Sequence, residues 1–192
     1  MSISTHYLPV RYTISMLVLS KSLLNQPVMS LRTGRPVATA VQAIINPNNL
    51  KIEGFYCIDS ENKGKQLVLL HRDIRDVLPA GIVVDDYDVL TEPEDLVRLK
   101  KVMEYQFEVI GKAVVTDKKA RLGKVTDYST DPESMYIKKL YVVQSVFKSL
   151  SGGNLGIDRN QIVEVTNSKI VVRDLLQPVP ADAPVTEPMP AG

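Results

Sequence analysis

Two charged clusters and one cysteine are the residues of this chain whose types could do chemistry. The run His71–Asp73 (HRD) and the pair Asp158–Arg159 contain a histidine and carboxylates, the side chains that most often act in general acid–base catalysis, each beside an arginine. Cys57 would be a nucleophile if a neighbouring base activated its thiol. None of them has an opposed carboxylate, an activating base or a metal-ligand companion at a recognised spacing. The sequence therefore predicts no catalytic, cofactor-binding or metal-binding residue, and a protein that is not an enzyme.

Both charged clusters open a polar turn that leads into an isoleucine, Ile74 or Ile162. Aspartate side chains at such positions cap free backbone amides. We therefore interpret the clusters as turn caps or surface ion pairs, and the two isoleucines as core residues. Cys57 has apolar neighbours on a predicted strand, which favours a buried and inert thiol. Ser151–Asn154 (SGGN) leads into a strand and lacks the Gly-Lys-Ser/Thr ending of a phosphate-binding loop, so we interpret it as a hairpin loop.

The elements that position these residues are duplicated along the chain. His71–Asp86 (HRDIRDVLPAGIVVDD) aligns without a gap with Arg159–Asp174 (RNQIVEVTNSKIVVRD). The identical pairs are Ile74/Ile162, Val77/Val165, Ile82/Ile170, Val83/Val171, Val84/Val172 and Asp86/Asp174. A period of about 88 residues suits a small domain rather than a solenoid repeat. The sequence therefore predicts two copies of one β-rich unit.

An irregularity in the alternation of apolar residues recurs in both copies. In the first, the alternating face changes beside Gly54, so that Phe55 and Cys57 turn inward. In the second, the apolar positions skip one residue between Ile137 and Leu140. A slip of one residue beside a glycine is typical of a β-bulge. We expect a bulge at this point in each copy.

Thr91–Tyr105 (TEPEDLVRLKKVMEY) is the one segment with a helical pattern. Thr91 and Glu94 fit a capping box, and Pro93 fits the first turn of a helix. Four apolar residues recur at helical spacing: Leu96, Leu99, Val102 and Met103. The pattern predicts a short linker helix between the two units.

The chain divides into five expected segments. They are a flexible N-terminal extension (1–15), a first unit (16–92), the linker helix (93–105), a second unit (106–176) and a disordered proline-rich tail (177–192). A single cysteine excludes an internal disulfide and fits a reducing cytoplasm. No apolar run approaches the roughly 18 residues that span a bilayer. The net charge of +1 gives no overall attraction to nucleic acid or to an anionic membrane.

Several stretches together carry a resemblance to a known family: RTGRPVATAVQAIINP, KKARLGKVTDYSTDP, IKKLYVV, IDRNQIVEV and KIVVRD. Over residues 20–175 the chain resembles a tandem PRC-barrel protein, whose pattern is a glycine-containing turn and strand, a D-P turn and a closing strand. The second copy keeps this pattern in ARLGKV and TDP. The first departs from it, with Pro36–Ala38 in place of Leu-Gly and Asn46-Pro47 in place of Asp-Pro. The resemblance implies an all-β fold of two tandem small PRC-like β-barrels, each six-stranded, joined by the linker helix.

Related domains occur in the cytoplasmic part of the photosynthetic reaction-centre H subunit and at the C-terminus of the ribosome-maturation factor RimM. Their common activity is docking onto other proteins, and the family has no shared catalytic residue. The resemblance thus implies a non-enzymatic cytoplasmic adaptor for a protein partner, without a cofactor and without DNA binding. The alternative is an RNA- or ribosome-associated factor of the ribosome-maturation type. The oligomeric state stays open.

Two sets of residues are candidates for these roles. The loop Val146–Gly153 (VFKSLSGG) stands where the first copy has the polar run ENKGK, and its apolar residues are candidate docking contacts: Val146, Phe147 and Leu150. They can equally pack onto their own domain. Six cations of the second unit are a candidate basic patch for the RNA alternative: Lys118, Lys119, Arg121, Lys124, Lys138 and Lys139. Lysines at turns and strand edges also discourage edge pairing, so the patch has a structural interpretation as well.

Overall fold

A computed structural model describes residues 16–143 and 154–174 of the chain. The first sheet comprises β2 (Gln26–Ser30), β3 (Pro36–Asn46), β4 (Lys51–Asp59), β5 (Gln66–Leu70), β6 (Ile74–Leu78) and β7 (Gly81–Val84). The second sheet comprises β8 (Ala113–Thr116), β9 (Arg121–Thr130), β10 (Ile137–Val143), β11 (Asn154–Asp158), β12 (Ile162–Val165) and β13 (Lys169–Val172), and the two-residue β1 (Val18–Leu19) attaches to it. The protein is mostly β, with two curled sheets, as the sequence predicts.

The two sheets have the same strand order. It is β5-β4-β3-β2-β7-β6 in the first sheet and β11-β10-β9-β8-β13-β12 in the second. Each contains one parallel pair, β2 with β7 or β8 with β13, and its other pairs are antiparallel. Ile74 lies opposite Val84 as Ile162 lies opposite Val172. The duplication inferred from the closing strands therefore extends through the whole topology of the described residues.

The irregularities of pairing are duplicated too. The β3–β4 pairing shifts between Ile44 and Ile45, beside Gly54, and the β9–β10 pairing shifts at the equivalent point, beside Ile137. Three further shifts recur at matching positions of the β2–β3, β3–β4 and β6–β7 pairs and their counterparts. Beyond Gly54, Phe55 and Cys57 are fully buried, which confirms the predicted bulge. Burial raises the pKa of the Cys57 thiol to about 12, so this thiol is protonated at neutral pH.

The cores of the two sheets differ in where their large side chain stands. In the first sheet, Ala43 on β3 lies opposite Phe55 on β4. At the equivalent place in the second sheet, Tyr128 on β9 lies opposite Leu140 on β10. All four residues are buried. The bulky ring has moved from one strand of the pair to the other, and the space between the strands is filled in both sheets.

Ile74 and Ile162 are less buried than the sequence analysis expects. Both are half-buried residues that pack against the core from its margin. The reason is topological, since each opens the outermost strand of its sheet, β6 or β12, and an edge strand is covered on fewer sides.

The predicted linker helix over 93–105 is wrong in extent. The structure has a 3-10 turn at Pro93–Asp95 and an α-helix, α1, only at Lys100–Glu104. Thr91 does not begin a helix, because its carbonyl, which would accept the first helical hydrogen bond, accepts the Val68 N–H at 2.8 Å instead. The Thr91 N–H donates to the Val68 carbonyl at 3.0 Å. The apolar stripe of the segment is nevertheless half-buried, as its spacing predicts: Leu96, Leu99, Val102 and Met103.

The two sheets meet through one reciprocal pair of backbone hydrogen bonds. The Ile52 N–H donates to the Met135 carbonyl at 2.8 Å, and the Ile137 N–H donates to the Leu50 carbonyl at 3.0 Å. Leu50 and Met135 hold equivalent places in the β3–β4 and β9–β10 turns and share a positive φ, 50° and 56°. Equivalent residues thus contact each other, which is the geometry of a two-fold interface between subunits.

Each sheet also receives the segment that leads into the other. Val18 in β1 pairs with Thr130 in β9, so a strand that the sequence places in the first unit belongs to the second sheet. In the opposite direction, the Glu108 carboxylate, just before β8, accepts a hydrogen bond from the Gln42 amide on β3 at 3.1 Å. The core is continuous across the two sheets. The unit boundaries at 92 and 106 stay predictions.

The close approach of β9 to β10 at Gly123, near the open end of their hairpin, can be tested by mutation. Gly123 has a φ of +155°, and a Cβ there would lie 2.0 Å from the Val143 carbonyl oxygen. We expect Gly123→Ala to lower the free energy of unfolding by about 2–3 kcal/mol, measured by urea denaturation. Gly156→Ala is the matched control, because its Cβ would meet only the flexible Lys139 side chain at 3.5 Å. Equal unfolding midpoints for the two variants would contradict this backbone path.

Candidate functional site

The loop predicted to dock a partner lies outside the described residues, with Val146, Phe147 and Leu150. The predicted extension (1–15) and tail (177–192) lie outside them as well. The strands that flank the loop are described, and they end at Val143 and begin at Asn154. The role of the three apolar residues stays a prediction.

The six predicted cations fall into two groups. Lys118, Lys119, Arg121 and Lys124 are exposed around the β8–β9 turn, whereas Lys138 and Lys139 are half-buried at the start of β10. Lys124 lies opposite Val143 and Lys139 lies opposite Ser129. Ser129 comes five residues after Lys124 along β9, which separates the two groups by about 16 Å. The structure does not bring all six into one cluster.

The group at the β8–β9 turn has a structural partner. The Lys118 ammonium lies 3.0 Å from the Asp174 carboxylate, directly after β13. The first sheet repeats this arrangement, since Arg32 forms an ion pair with Asp86 after β7. The identical aspartates of the two copies therefore anchor a turn of their own sheet.

The Lys138–Lys139 group belongs to a cluster at the junction of the sheets that the sequence analysis missed. The Tyr136 ring lies at its centre, with the Arg159 guanidinium 5.0 Å from the ring centroid. The ammonium groups of Lys51 and Lys138 are each 5.9 Å from the same centroid. Lys51 comes from the first sheet and pairs with Tyr136 across the junction. The signal in the sequence was the repeat itself, since Lys51 and Tyr136 occupy equivalent positions in the two copies.

The polar turns that invited an acid–base interpretation have structural partners. The Asp158 and Gln161 side chains form a capping box over a 3-10 turn, with the Asp158 N–H donating to Gln161 Oε1 at 2.8 Å. In the first sheet, His71–Asp73 forms the equivalent 3-10 turn without a side-chain cap. Burial, and then the nearby Lys51 charge, lower the pKa of His71. Within 16–143 and 154–174, no group of three or more His, Cys, Asp or Glu side chains is placed to hold a metal ion.

The outer strands β5 and β11 are equivalent edges with different surroundings. Val68 on β5 lies opposite Tyr56, and Gly156 on β11 lies opposite Tyr141, at the same position of the repeat. Val68 directs its N–H and carbonyl away from β4 and bonds them to Thr91. Gly156 at this register directs the same two groups away from β10. Among the described residues, no strand or bridge pairs with this outer side of β11.

The surfaces beside the two edges, like the edges themselves, occupy equivalent positions but have different surroundings. In the first sheet, Lys51, Glu53 and His71 share a groove with the linker residues 95–99. In the second sheet, the equivalent positions are Tyr136, Lys138 and Arg159, the residues of the cationic cluster. The chain segment that would correspond to the linker begins after Asp174, outside the described residues. The first sheet therefore shows how the turns of the linker cover this surface, and the equivalent surface of the second sheet carries more positive charge.

We define the open surface as the outer side of β11 at Gly156 together with Tyr136, Lys138, Lys139 and Arg159. Gly156 is exposed, so another backbone can reach the N–H and carbonyl that face away from β10. The Lys139 stem passes within 3.5 Å of the position of a Cβ on Gly156, and its ammonium lies 3.3 Å from Asp158. This surface can accept an extended chain by backbone hydrogen bonding and can attract acidic side chains.

No family model matches the chain, and no curated protein matches it. Within the described part of the chain, no helix is both long enough and apolar enough to span a bilayer.

The junction cluster predicts that Tyr136 stabilises the fold through its ring electrons as well as its bulk. Tyr136→Leu keeps an apolar side chain but removes the face that the three cations share. We expect it to lower the free energy of unfolding by about 1–2 kcal/mol, since each cation–π contact at a partly exposed site contributes about 0.5–1 kcal/mol. Tyr105→Leu, at a 49%-exposed tyrosine beyond α1, is the control and should stay within about 0.5 kcal/mol of wild type. A Tyr136→Leu protein as stable as the control would show that the cations contribute nothing.

Proposed function

We propose that this protein is a non-enzymatic cytoplasmic adaptor that binds a protein partner by adding an extended segment of that partner to the edge of β11. The observation that carries the proposal is the difference between two equivalent edges. Thr91 pairs with β5, while the matching groups of Gly156 on β11 face outward. Addition of a strand to an exposed sheet edge is a common mode of peptide recognition, in which the backbone supplies affinity and the flanking side chains supply specificity.

The flanking side chains favour an acidic partner segment. Lys138, Lys139 and Arg159 lie on the open surface, and Asp158 neutralises only part of their charge. The linker that covers the first sheet is itself acidic where it begins, and its Glu92 carboxylate lies 2.8 Å from the Lys65 ammonium beside β5. A partner segment that carries carboxylates next to an extended stretch would place them beside Lys138, Lys139 and Arg159 on the second sheet.

The fold supports the same proposal at the level of the family. Each sheet has six core strands in one order with one parallel pair, and the register shifts recur between the sheets. These features support two tandem PRC-like barrels that arose by duplication, a family whose members dock onto other proteins. Under this proposal, the apolar residues of the predicted docking loop, Val146, Phe147 and Leu150, are further candidate contacts for the same partner.

The adaptor proposal predicts that binding depends on the outward N–H of Gly156. Gly156→Pro removes that donor and fills the space that an added strand needs, whereas Gly156→Ala keeps the donor. Tagged full-length proteins are used to recover partners from native cytosol, after melting curves have shown that both variants fold. We expect the proteins recovered by wild type and by Gly156→Ala to be lost with Gly156→Pro. Recovery of the same partners by all three proteins would contradict binding at this edge.

If Gly156→Pro does not fold, a second variant tests the charge of the surface instead. Lys138→Glu with Lys139→Glu reverses the sign of two cations beside β11 without changing its backbone. We expect this double variant to lose an acidic partner. The matched control is Lys118→Glu with Lys124→Glu, which reverses the same charge at the distant β8–β9 turn. Equal loss from both double variants would point to net charge rather than to the β11 edge.

The alternative function, RNA or ribosome association, is favoured by one observation, the grouping of Lys51, Lys138 and Arg159 around Tyr136. Cations and aromatic rings together are how proteins hold single-stranded RNA. We expect a labelled single-stranded RNA to bind weakly, with an affinity that barely changes between 50 and 200 mM salt. Contacts to several phosphates would instead lower the affinity by roughly 10³-fold over this range. A steep salt dependence that Arg159→Gln reduces, together with partner recovery that nuclease abolishes, would establish the RNA function in place of the adaptor.

A further inference from the structure

A short motif of the linker occurs a second time in the C-terminal tail. The linker reads Leu-Thr-Glu-Pro at Leu90–Pro93, and the tail reads Val-Thr-Glu-Pro at Val185–Pro188. Three of the four residues are identical and the fourth is an aliphatic exchange. The two copies of the motif follow the two copies of the closing strand, β7 and β13, in the same order along the chain.

In the first sheet, this motif is the segment that covers the edge of β5. Thr91 forms both backbone hydrogen bonds with Val68, and Glu92 pairs with Lys65. Pro93 then opens the 3-10 turn that leads the chain away from the edge. Leu90 directly before them is buried, with 8% of its surface exposed. Each residue of the motif thus has a defined task at the edge: an apolar anchor, a backbone pair, a charge and a turn.

The second sheet offers the same edge at the equivalent position. Gly156 holds the register place of Val68, with its N–H and carbonyl directed outward. The equivalent aspartates give the distances along the chain: five residues lead from Asp86 to Thr91, and twelve lead from Asp174 to Thr186. Twelve extended residues span up to about 40 Å, so the tail is long enough to reach an edge that five residues reach in the first sheet.

We propose that Val185–Pro188 of the tail binds the edge of β11 as Leu90–Pro93 binds the edge of β5, with Thr186 pairing with Gly156. The tail then occupies the open surface when no partner is bound. The pairing of the tail stands independently of the proposed function. Its consequence rests on that function: the tail competes with the partner segment for one edge.

Amide hydrogen exchange of the full-length protein tests the pairing without any partner. Thr186→Pro removes the N–H that would bond to the Gly156 carbonyl and obstructs the strand. We expect the Gly156 amide to exchange at least about tenfold faster in Thr186→Pro than in wild type. Ala181→Pro adds a proline to the same tail outside the motif and should leave the Gly156 amide as slow as in wild type.

The neighbouring amides of β11 serve as internal references, because Leu155 and Ile157 direct their N–H groups to β10 at this register. They should exchange slowly in all three proteins, which separates release of the tail from a loss of the strand. A Gly156 amide that exchanges at the same rate in wild type and in Thr186→Pro overturns the proposal. So does acceleration by Ala181→Pro to the same extent, because the effect would not belong to the motif.

Partner recovery from native cytosol distinguishes the two proposals. If both hold, Thr186→Pro should recover several-fold more of the partner that Gly156→Pro loses. Faster exchange at Gly156 without any change in recovery establishes the tail as the occupant and contradicts partner binding at this edge. Unchanged exchange, with recovery still lost in Gly156→Pro, overturns the tail proposal and leaves the adaptor function intact.

Discussion

The structure depends on one pair of hydrogen bonds between two tight turns. Leu50 and Met135 take a left-handed conformation that is costly for residues with side chains. The carbonyl of each accepts a hydrogen bond from the start of the second strand of the other hairpin, β10 or β4. Since the two bonds are reciprocal, neither sheet can rotate against the other without losing both. The junction cluster around Tyr136 and the crossing of β1 to the second sheet both lie at this contact. The Lys51 ammonium lies over the Tyr136 ring because of this contact.

The fold was predictable where the sequence repeats itself. The aligned closing strands, β6–β7 and β12–β13, and the bulge beside Gly54 follow from apolar alternation, which is a local property. The prediction of a long linker helix was wrong because the capping pattern at Thr91 is local, whereas the structure there is set by a long-range contact. The backbone N–H and carbonyl of Thr91 are both hydrogen-bonded to Val68, which is distant in sequence. The half-burial of Ile74 and Ile162 depends on which strand lies at the sheet edge, and single-sequence periodicity does not report strand order.

The candidate site was less predictable than the fold, for the same physical reason. Lys138 and Lys139 were recognised as cations, but their neighbours Lys51 and Arg159 arrive from another sheet and another turn. The β11 edge is recognised as a candidate site only by comparison with β5, because Thr91 pairs with β5 at the position that is open on β11. One copy of the repeat thus shows a contact, Thr91 with β5, and the alignment of the two copies locates the position of the corresponding contact on β11.

The exchange of bulk between Ala43–Phe55 and Tyr128–Leu140 has a consequence for how the chain assembles. Two copies of one topology in a single polypeptide invite strands to find the wrong partner during folding, a known hazard of tandem domains. If β3 paired with β10, Ala43 would face Leu140 across a void; if β9 paired with β4, Tyr128 would collide with Phe55. The first error leaves a cavity and the second forces a clash, and the correct hairpins avoid both costs. The different position of the aromatic ring in the two copies therefore disfavours pairing between strands of different copies.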